Sequence, residues 1–152
     1  MDLVILGVGR LRPSYREACD DYLRRLGRYA RVSEVEVREA SRAPTAEAQR
    51  KEEADRLLAR VPGGATTVAL AREGSAWTSE DLARRVEGWR VAARPLAFVI
   101  GGSHGLAPGL VASAAGRWSL GPLTLPHELA RIVVVEQLYR AFTIIRGEPY
   151  HK

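Results

Sequence analysis

Two irregular stretches in the second half of the chain hold residue types from which a ligand site can be built. The first is FVIGGSHGLAP, residues 98–108, in which an apolar run ends in Gly101, Gly102 and, three residues on, Gly105. Glycines after a strand let the backbone approach a ligand closely and leave N–H groups free to bind it. The alternative is a tight turn without a ligand. The spacing matches neither a dinucleotide fingerprint nor a P-loop, and the adjacent serine and histidine are not expected to converge as nucleophile and base.

The second stretch, RWSLGPLTLPHE at residues 117–128, predicts a rigid loop after a short strand. Gly121 and Leu125 each precede a proline, which fixes its own φ and restricts the residue before it. A preorganised loop loses little conformational entropy when it closes around a ligand. The sequence therefore fits a binding loop and, equally well, a simple helix entry in which Pro126 and His127 begin the next element.

The helix predicted from His127 to Arg146 has an unusually wide apolar face. Such a face exceeds what one sheet surface covers, so it predicts burial against a second subunit as well. A narrow polar stripe remains, formed by Glu128, Glu136, Arg140 and Thr143. Because Glu136 and Arg140 are four residues apart, they form either a helix-stabilising ion pair or the border of a site at a subunit junction.

The chain ends in RGEPYHK, a segment with an aromatic ring, an imidazole and a cation in succession. Tyr150 and His151 could stack on nucleic-acid bases while Lys152 contacts phosphate. The alternative is a frayed chain end.

These stretches require a scaffold, and the rest of the sequence alternates strand-like and helix-like segments. Strands are expected at 3–9, 32–38, 65–71, 96–100 and 117–120, and helices at 14–28, from 45 onward, at 80–92 and at 127–146. Ser14 with Glu17 forms a capping-box pattern at the start of the first helix. The glycines at 63–64 are expected to end the second helix, and Thr78 or Ser79 is expected to cap the third. The segment REGSAWTS at 72–79 is expected to be a loop. The alternation predicts an α/β fold with a mainly parallel sheet, in which residues 1–152 form one domain.

Composition limits the class of protein further. The formal net charge is +5, and all basic residues except Lys51 and Lys152 are arginines, which suits a nucleic-acid partner as well as arginine-rich codon usage. The single cysteine, Cys19, excludes a disulfide framework and a cysteine-cluster metal site, and its helical context predicts a buried thiol. No apolar run is long enough for a membrane span or a signal peptide, so a cytoplasmic protein is expected.

Taken together, four motifs resemble one family. They are IGG-x-x-G-L at 100–106, W-S-L-x-x-L-T-L-P-H at 118–127, E-x-L-Y-R-A at 136–141 and P-Y-H at 149–151. The chain is similar to the ribosomal RNA large-subunit methyltransferase H family, small members of the SPOUT superfamily. The resemblance spans essentially the whole chain, and it implies an α/β fold with a deep trefoil knot near the C-terminus, an exception to the rule that chains are un-knotted.

The resemblance also implies a cofactor and the residues that hold it. The cofactor is S-adenosylmethionine, bound in the knot loops without a metal. Its expected contacts are Leu70, Gly102, Gly121, Pro122, Leu123, Thr124, Leu125 and Pro126. The family is homodimeric, in agreement with the wide apolar helix face. His104 lies in a variable position and is assigned no role.

The substrate that the resemblance implies is a pseudouridine in the helix 69 loop of 23S ribosomal RNA, methylated at N3 on the assembled 70S ribosome. Its N3 imide must lose a proton, so a positioned base would help. His151 is the expected base, Tyr150 stacks on or hydrogen-bonds the pseudouridine, and Arg140 counters the imide anion. Two other functions stay open: a knotted methyltransferase acting on another RNA such as transfer RNA, and a non-enzymatic ribosome-binding factor.

Overall fold

The computed structural model describes residues 1–151, which form a five-stranded parallel sheet with helices on both faces. The strands are β1 (Asp2–Val8), β2 (Arg31–Val37), β3 (Thr66–Ala76), β4 (Leu96–Val99) and β5 (Gly116–Ser119), in the spatial order β2-β1-β4-β3-β5. The helices are α1 (Pro13–Leu26), α2 (Ala46–Leu58), α3 (Ser79–Val91), α4 (Pro108–Ser113) and α5 (His127–Arg146), and a short 3-10 helix covers Pro149–His151. The predicted α/β fold with a parallel sheet is confirmed.

Two hydrophobic cores explain why the central strands are apolar on both faces. On one face α1, α3 and α5 pack over residues such as Ile5 and Phe98. On the other face α2 and α4 cover Leu6 and Val99. Parallel strands covered on both sides read as continuous apolar runs rather than as alternating ones. β1 and β4 follow this pattern and lie in the interior of the sheet.

Helix α5 is covered within a single chain. Val134, Leu138 and Ala141 are fully buried, and α1 and α3 flank the helix on its two sides. Thr143, which the sequence assigns to a polar stripe, is also fully buried, and its hydroxyl is satisfied by donating to the Arg140 carbonyl oxygen at 2.7 Å. The width of the apolar face is therefore explained without a second subunit.

Several element boundaries differ from those expected. Helix α1 begins at Pro13, which favours the first helical position, so Ser14 lies inside the helix rather than capping it. Helix α2 starts after its Thr45 cap as expected but ends at Leu58, before the glycines at 63–64. The expectation for α3 is correct, since Thr78 and Asp81 form a capping box.

The largest correction concerns the segment expected as a loop after the third strand. Strand β3 continues to Ala76, and its pairing with β5 shifts register between Leu70 and Ser75. This bulge displaces the intervening residues from the ladder at the carboxyl end of the sheet. Short-range pattern does not reveal the extension, because β5, its pairing partner, lies about 45 residues further along the chain.

Candidate functional site

A cavity of about 710 Å³ opens at the carboxyl ends of β3, β4 and β5, beside the start of α5. Parallel strands bring their carboxyl ends to one edge of the sheet, where ligands of α/β proteins bind. The volume lies within the range of small-molecule sites. The lining residues are Leu70, Ala71, Arg72, Ile100, Gly101, Gly102, Ser103, His104, Gly105, Ser119, Leu120, Gly121, Leu123, Thr124, Leu125, Pro126, His127 and Ala130.

The glycine turn after β4 forms one wall of this cavity. The Gly105 N–H donates to the Gly102 carbonyl oxygen at 3.0 Å, which closes the turn. A Cβ added to Gly101 would lie 2.4 Å from the Gly105 carbonyl carbon, so no side chain fits there. The turn therefore presents backbone, rather than side chain, to the cavity at this point.

The loop between β5 and α5 forms another wall of the cavity. Gly121 has φ +110°, a conformation that glycine adopts without strain, and its N–H donates to Ser119 Oγ at 3.2 Å. Pro126 caps α5 by accepting the Ala130 N–H at 2.9 Å. Leu123 is 75% exposed. An apolar side chain held at the cavity mouth by a rigid loop is available for contact with a ligand.

The cavity agrees closely with the residues singled out from the sequence. Of the eight expected cofactor contacts, all except Pro122 line it among residues 1–151. Sequence reasoning missed Arg72, His127 and Ala130, and it assigned no role to His104, which also lines the cavity. Arg72 follows directly on the apolar end of the third predicted strand, and that position was the available signal.

Arg140 and Tyr150, two of the expected catalytic residues, meet at Glu136. Arg140 Nη2 donates to Glu136 Oε1 at 2.6 Å, and the Tyr150 hydroxyl donates to the same oxygen at 2.9 Å. The Arg140 guanidinium also lies 4.9 Å from the centre of the Tyr150 ring. The hydrogen bond to Glu136 raises the pKa of Arg140, and burial, more than any hydrogen bond, raises the pKa of Tyr150. The predicted Glu136–Arg140 ion pair is confirmed. Tyr150, from the C-terminal tail, is hydrogen-bonded to the same carboxylate.

The end of the chain is thus anchored to its own α5. Tyr150 packs edge-on against Tyr139 at a centroid distance of 4.7 Å. His151 Nδ1 is buried without a hydrogen-bond partner among residues 1–151. Lys152, expected to contact phosphate, lies outside the described residues.

The structure does not bring this tail cluster to the cavity of the same chain. Arg140, Tyr150 and His151 are absent from the cavity lining in the described part of the chain. Arg140 lies ten residues after the lining residue Ala130, which is about 15 Å along the helix. The two groups of expected site residues therefore lie at different ends of α5.

A buried ion cluster, which the sequence analysis missed, fixes the start of α5. Arg131 is 2% exposed, and its Nη1 donates to Glu36 Oε2 at 2.5 Å and to Glu34 Oε2 at 3.2 Å. Its Nη2 donates to the Gly9 and Val8 carbonyl oxygens at 2.9 and 3.2 Å. Because Ala130 precedes Arg131 and lines the cavity, this cluster holds one cavity wall against β1 and β2.

Residues 1–151 contain no cluster of three or more His, Cys, Asp or Glu side chains that could hold a metal ion. Within the same residues, every helix is too short or too polar to cross a membrane.

Comparison with known proteins assigns the chain to a family. The family model described as "Predicted SPOUT methyltransferase" matches residues 1–151. A ribosomal RNA large subunit methyltransferase H of Rubrobacter xylanophilus is 55% identical over 152 residues, covering 97% of this chain and 96% of the relative. One from an Anaeromyxobacter species is 48% identical over 154 residues, covering 100% of both chains.

Solved structures agree on the fold. A probable methylase family protein of Haemophilus influenzae superposes with a TM-score of 0.59 at 11% identity, covering 99% of this chain and 70% of that one. A probable methyltransferase of Bordetella pertussis gives 0.54 at 16% identity, covering 91% and 95%. At these identities the likeness shows the fold alone. The full-length sequence matches go further: this chain belongs to the SPOUT methyltransferases and, among them, to the ribosomal RNA large subunit methyltransferase H family.

Proposed function

We propose that this methyltransferase transfers a methyl group from S-adenosylmethionine to N3 of a pseudouridine in the helix 69 loop of 23S ribosomal RNA, on the assembled 70S ribosome. The observation that carries the proposal is the cavity at the carboxyl edge, which is lined by a backbone-presenting glycine turn and a rigid LTLP loop. A ribosomal substrate places the enzyme in the cytoplasm.

The residues that line the cavity fit S-adenosylmethionine. Leu70, Leu123 and Leu125 offer apolar contacts for an adenine ring, and the backbone of Gly102 and Gly121 offers hydrogen-bonding groups for the polar parts. Thr124 and Pro126 complete the enclosure. When bound, the cofactor would supply an electrophilic methyl group to N3 and would leave as S-adenosylhomocysteine, while the N3 proton would pass to the base assigned below.

We assign recognition of the RNA substrate to exposed arginines around the mouth of the cavity. Arg72 is exposed and lines the cavity, and Arg10 is exposed in the segment that follows β1. Arginine binds phosphate through a planar fork and stacks on bases, so the two side chains suit an RNA backbone that crosses the cavity mouth.

The roles proposed for the tail require two subunits. We assign His151 as the base for the N3 proton, Tyr150 as the residue that stacks on or hydrogen-bonds the pseudouridine, and Arg140 as the counter-charge for the imide anion. Because this cluster lies about 15 Å along α5 from the cavity of its own chain, the active unit is a homodimer in which the tail of one subunit serves the cavity of its partner.

The knotted topology is part of the same proposal. Residues 1–152 form one domain, and the loops that line the cavity belong to a deep trefoil knot. A knot would hold the loops after β4 and β5 against each other, so the cavity keeps its shape before the cofactor arrives.

The decisive experiment measures saturable binding of S-adenosylmethionine and transfer of its labelled methyl group to transfer RNA and to 70S ribosomes, 50S subunits and naked 23S RNA that lack the modification. Label mapped to N3 of the helix 69 pseudouridine, with 70S preferred, is the expected result. Transfer only to transfer RNA would replace the substrate and keep the reaction class. If S-adenosylmethionine shows no saturable binding, the chain is a non-enzymatic ribosome-binding factor and the proposal is wrong.

A further inference from the structure

A second buried charge lies behind the cavity, on helix α2. The Glu53 side chain belongs to a residue that is only 2% exposed. Its Oε2 accepts the Ala40 N–H at 3.0 Å and the Gln49 Nε2–H at 3.1 Å. Its Oε1 is buried and has no hydrogen-bond partner among residues 1–151, and none of the ion pairs found there includes Glu53. One oxygen of the Glu53 carboxylate, Oε1, therefore has no donor or cation beside it in the described part of the chain.

The unpartnered oxygen lies close to Gly102 in the glycine turn. A Cβ added to Gly102 would lie 3.5 Å from Glu53 Oε1 and 3.0 Å from Val8 Cγ1. Gly102, which has no side chain, therefore lies beside the Glu53 carboxylate and also lines the cavity.

Such an arrangement favours a positive charge in the cavity. Both groups that contact Oε2 are N–H donors, and no acceptor for a carboxyl proton lies within hydrogen-bonding distance of Oε1 among residues 1–151. A buried carboxylate with an unsatisfied oxygen is costly unless a cation compensates it. Because solvent is excluded around Glu53, its negative charge is screened less than that of a surface carboxylate.

We propose that Glu53 makes the cavity select the cationic cofactor over its neutral product, which rests on the function proposed above. S-Adenosylmethionine carries a sulfonium, an ammonium and a carboxylate, for a net charge of +1 near neutral pH. Methyl transfer turns the sulfonium into a thioether, so S-adenosylhomocysteine is neutral overall. The carboxylate therefore holds the substrate form of the cofactor more strongly than the spent form, and Glu53 is a specificity-determining residue that acts through the turn.

A purely structural role for Glu53 makes a different prediction. The contacts of Oε2 hold the segment after β2 to helix α2, and the carbonyl oxygen of a glutamine can accept the same two hydrogen bonds. Glu53→Gln thus keeps the structural contacts and removes the charge. A structural role leaves the relative affinity for charged and neutral ligands unchanged.

The test is calorimetric binding of S-adenosylmethionine, S-adenosylhomocysteine and the amine analogue sinefungin, which keeps a cation near the sulfonium position. We expect Glu53→Gln to lower the preference for both cationic ligands over S-adenosylhomocysteine on the order of tenfold, the effect of one charge about 10 Å away at an effective dielectric constant of about 20. Glu53→Asp, which keeps the charge, should preserve most of the preference. Glu52→Gln, the exposed neighbour that pairs with Arg56, is the matched control and should change nothing.

The ratio of the affinities for the cationic ligands and for S-adenosylhomocysteine distinguishes the possible roles of Glu53. Unfolded protein binds none of these ligands, so a partly folded variant still reports the ratio of its affinities for the charged and neutral ligands. Glu53→Met offers a second neutral side chain of similar size. If the neutral variants weaken all three ligands equally, or leave all three unchanged, the inference is wrong while the proposed function stands. If the wild-type protein binds none of the ligands, the proposed function is wrong, and the inference fails with it.

Discussion

Arg131 shows how a single charged residue positions a ligand cavity that it does not line. Its guanidinium contacts two carboxylates from β2 and two carbonyl oxygens at the end of β1, so it joins three elements at the carboxyl edge. A Cβ added to Gly7 would lie 2.6 Å from Arg131 Nη2, so the strand has no side chain where the guanidinium passes. The start of α5, and with it one cavity wall, depends on this contact.

We expect Arg131→Met to destabilise the protein by about 2 kcal/mol, because the Val8 and Gly9 carbonyl oxygens lose their side-chain donor, whereas Glu34 and Glu36 keep their ion pairs with Arg16. Denaturant unfolding of the purified protein measures the change. Arg24→Met removes an exposed ion pair with Asp21 and should cost less than about 1 kcal/mol. Equal effects of the two substitutions would contradict the role assigned to Arg131.

Cys19 gives a pH-dependent prediction at the same scale. The thiol is fully buried, as the sequence predicts, and burial raises its pKa to about 12. A raised pKa means that the folded protein holds the thiol proton after the unfolded chain has released it, near pH 9. This contribution to stability is complete below that pH and is lost as pH rises toward 12.

The unfolding free energy of the wild-type protein should therefore fall relative to that of Cys19→Ala by about 1.4 kcal/mol per pH unit above pH 9. Urea unfolding of both proteins at pH 8, 9 and 10 measures the difference, in which other titrating groups cancel. A difference that stays constant with pH would show that the thiol ionises equally in both states.

At the scale of elements, the cavity depends on connections rather than on the helices and strands themselves. The turn after β4 brings two glycine backbones into contact, and the loop after β5 holds an exposed leucine in place with two prolines and a left-handed glycine. The bulge in β3 adds Ala71 and Arg72 from a third strand end. Each connection is short and rigid, which favours a preformed site.

We expect Gly101→Ala to weaken S-adenosylmethionine binding roughly 10- to 100-fold, because the added methyl group forces the turn away from Gly105 and displaces the cavity wall. Gly109→Ala in α4 is the control, since a Cβ there meets nothing within 4 Å. Calorimetric titration compares the two variants with the wild type. Unchanged affinity in Gly101→Ala would remove the turn from the binding site.

At the scale of the whole molecule, one helix separates the two halves of the proposed active site. Ala130 lines the cavity near the first turn of α5, whereas Tyr139 and Arg140 hold the tail near its end. A rigid helix cannot shorten this separation, so the tail reaches a cavity only by leaving its own helix or by belonging to another subunit.

Subunit mixing distinguishes these two arrangements. Gly101→Ala impairs the cavity and Tyr150→Ala impairs the tail, so each variant alone should have little activity. Co-refolded in equal amounts, they should recover about a quarter of wild-type methyl transfer, because half of the dimers are mixed and each mixed dimer has one intact site. If the mixture is no more active than the variants refolded separately, each tail serves its own cavity.

The sequence by itself determined the elements and the two loops that line the cavity. Continuous apolar runs predicted β1 and β4, helical spacing predicted α1 and α5, and the glycines and prolines of residues 101–126 indicated the cavity walls. These features are local: backbone preference and hydrophobic period act over a few residues, so they can be read without knowing what lies across the fold.

Only the tertiary structure decided which distant residues meet. Arg131 and Glu53 look like ordinary helix-surface charges in the sequence, yet both are 2% exposed and lie against glycines of the sheet edge. The extension of β3 depended on pairing with β5, and the tail was placed by Glu136 and Tyr139. The burial of a charge is set by packing between elements far apart in the chain, and no local pattern in the sequence encodes that packing.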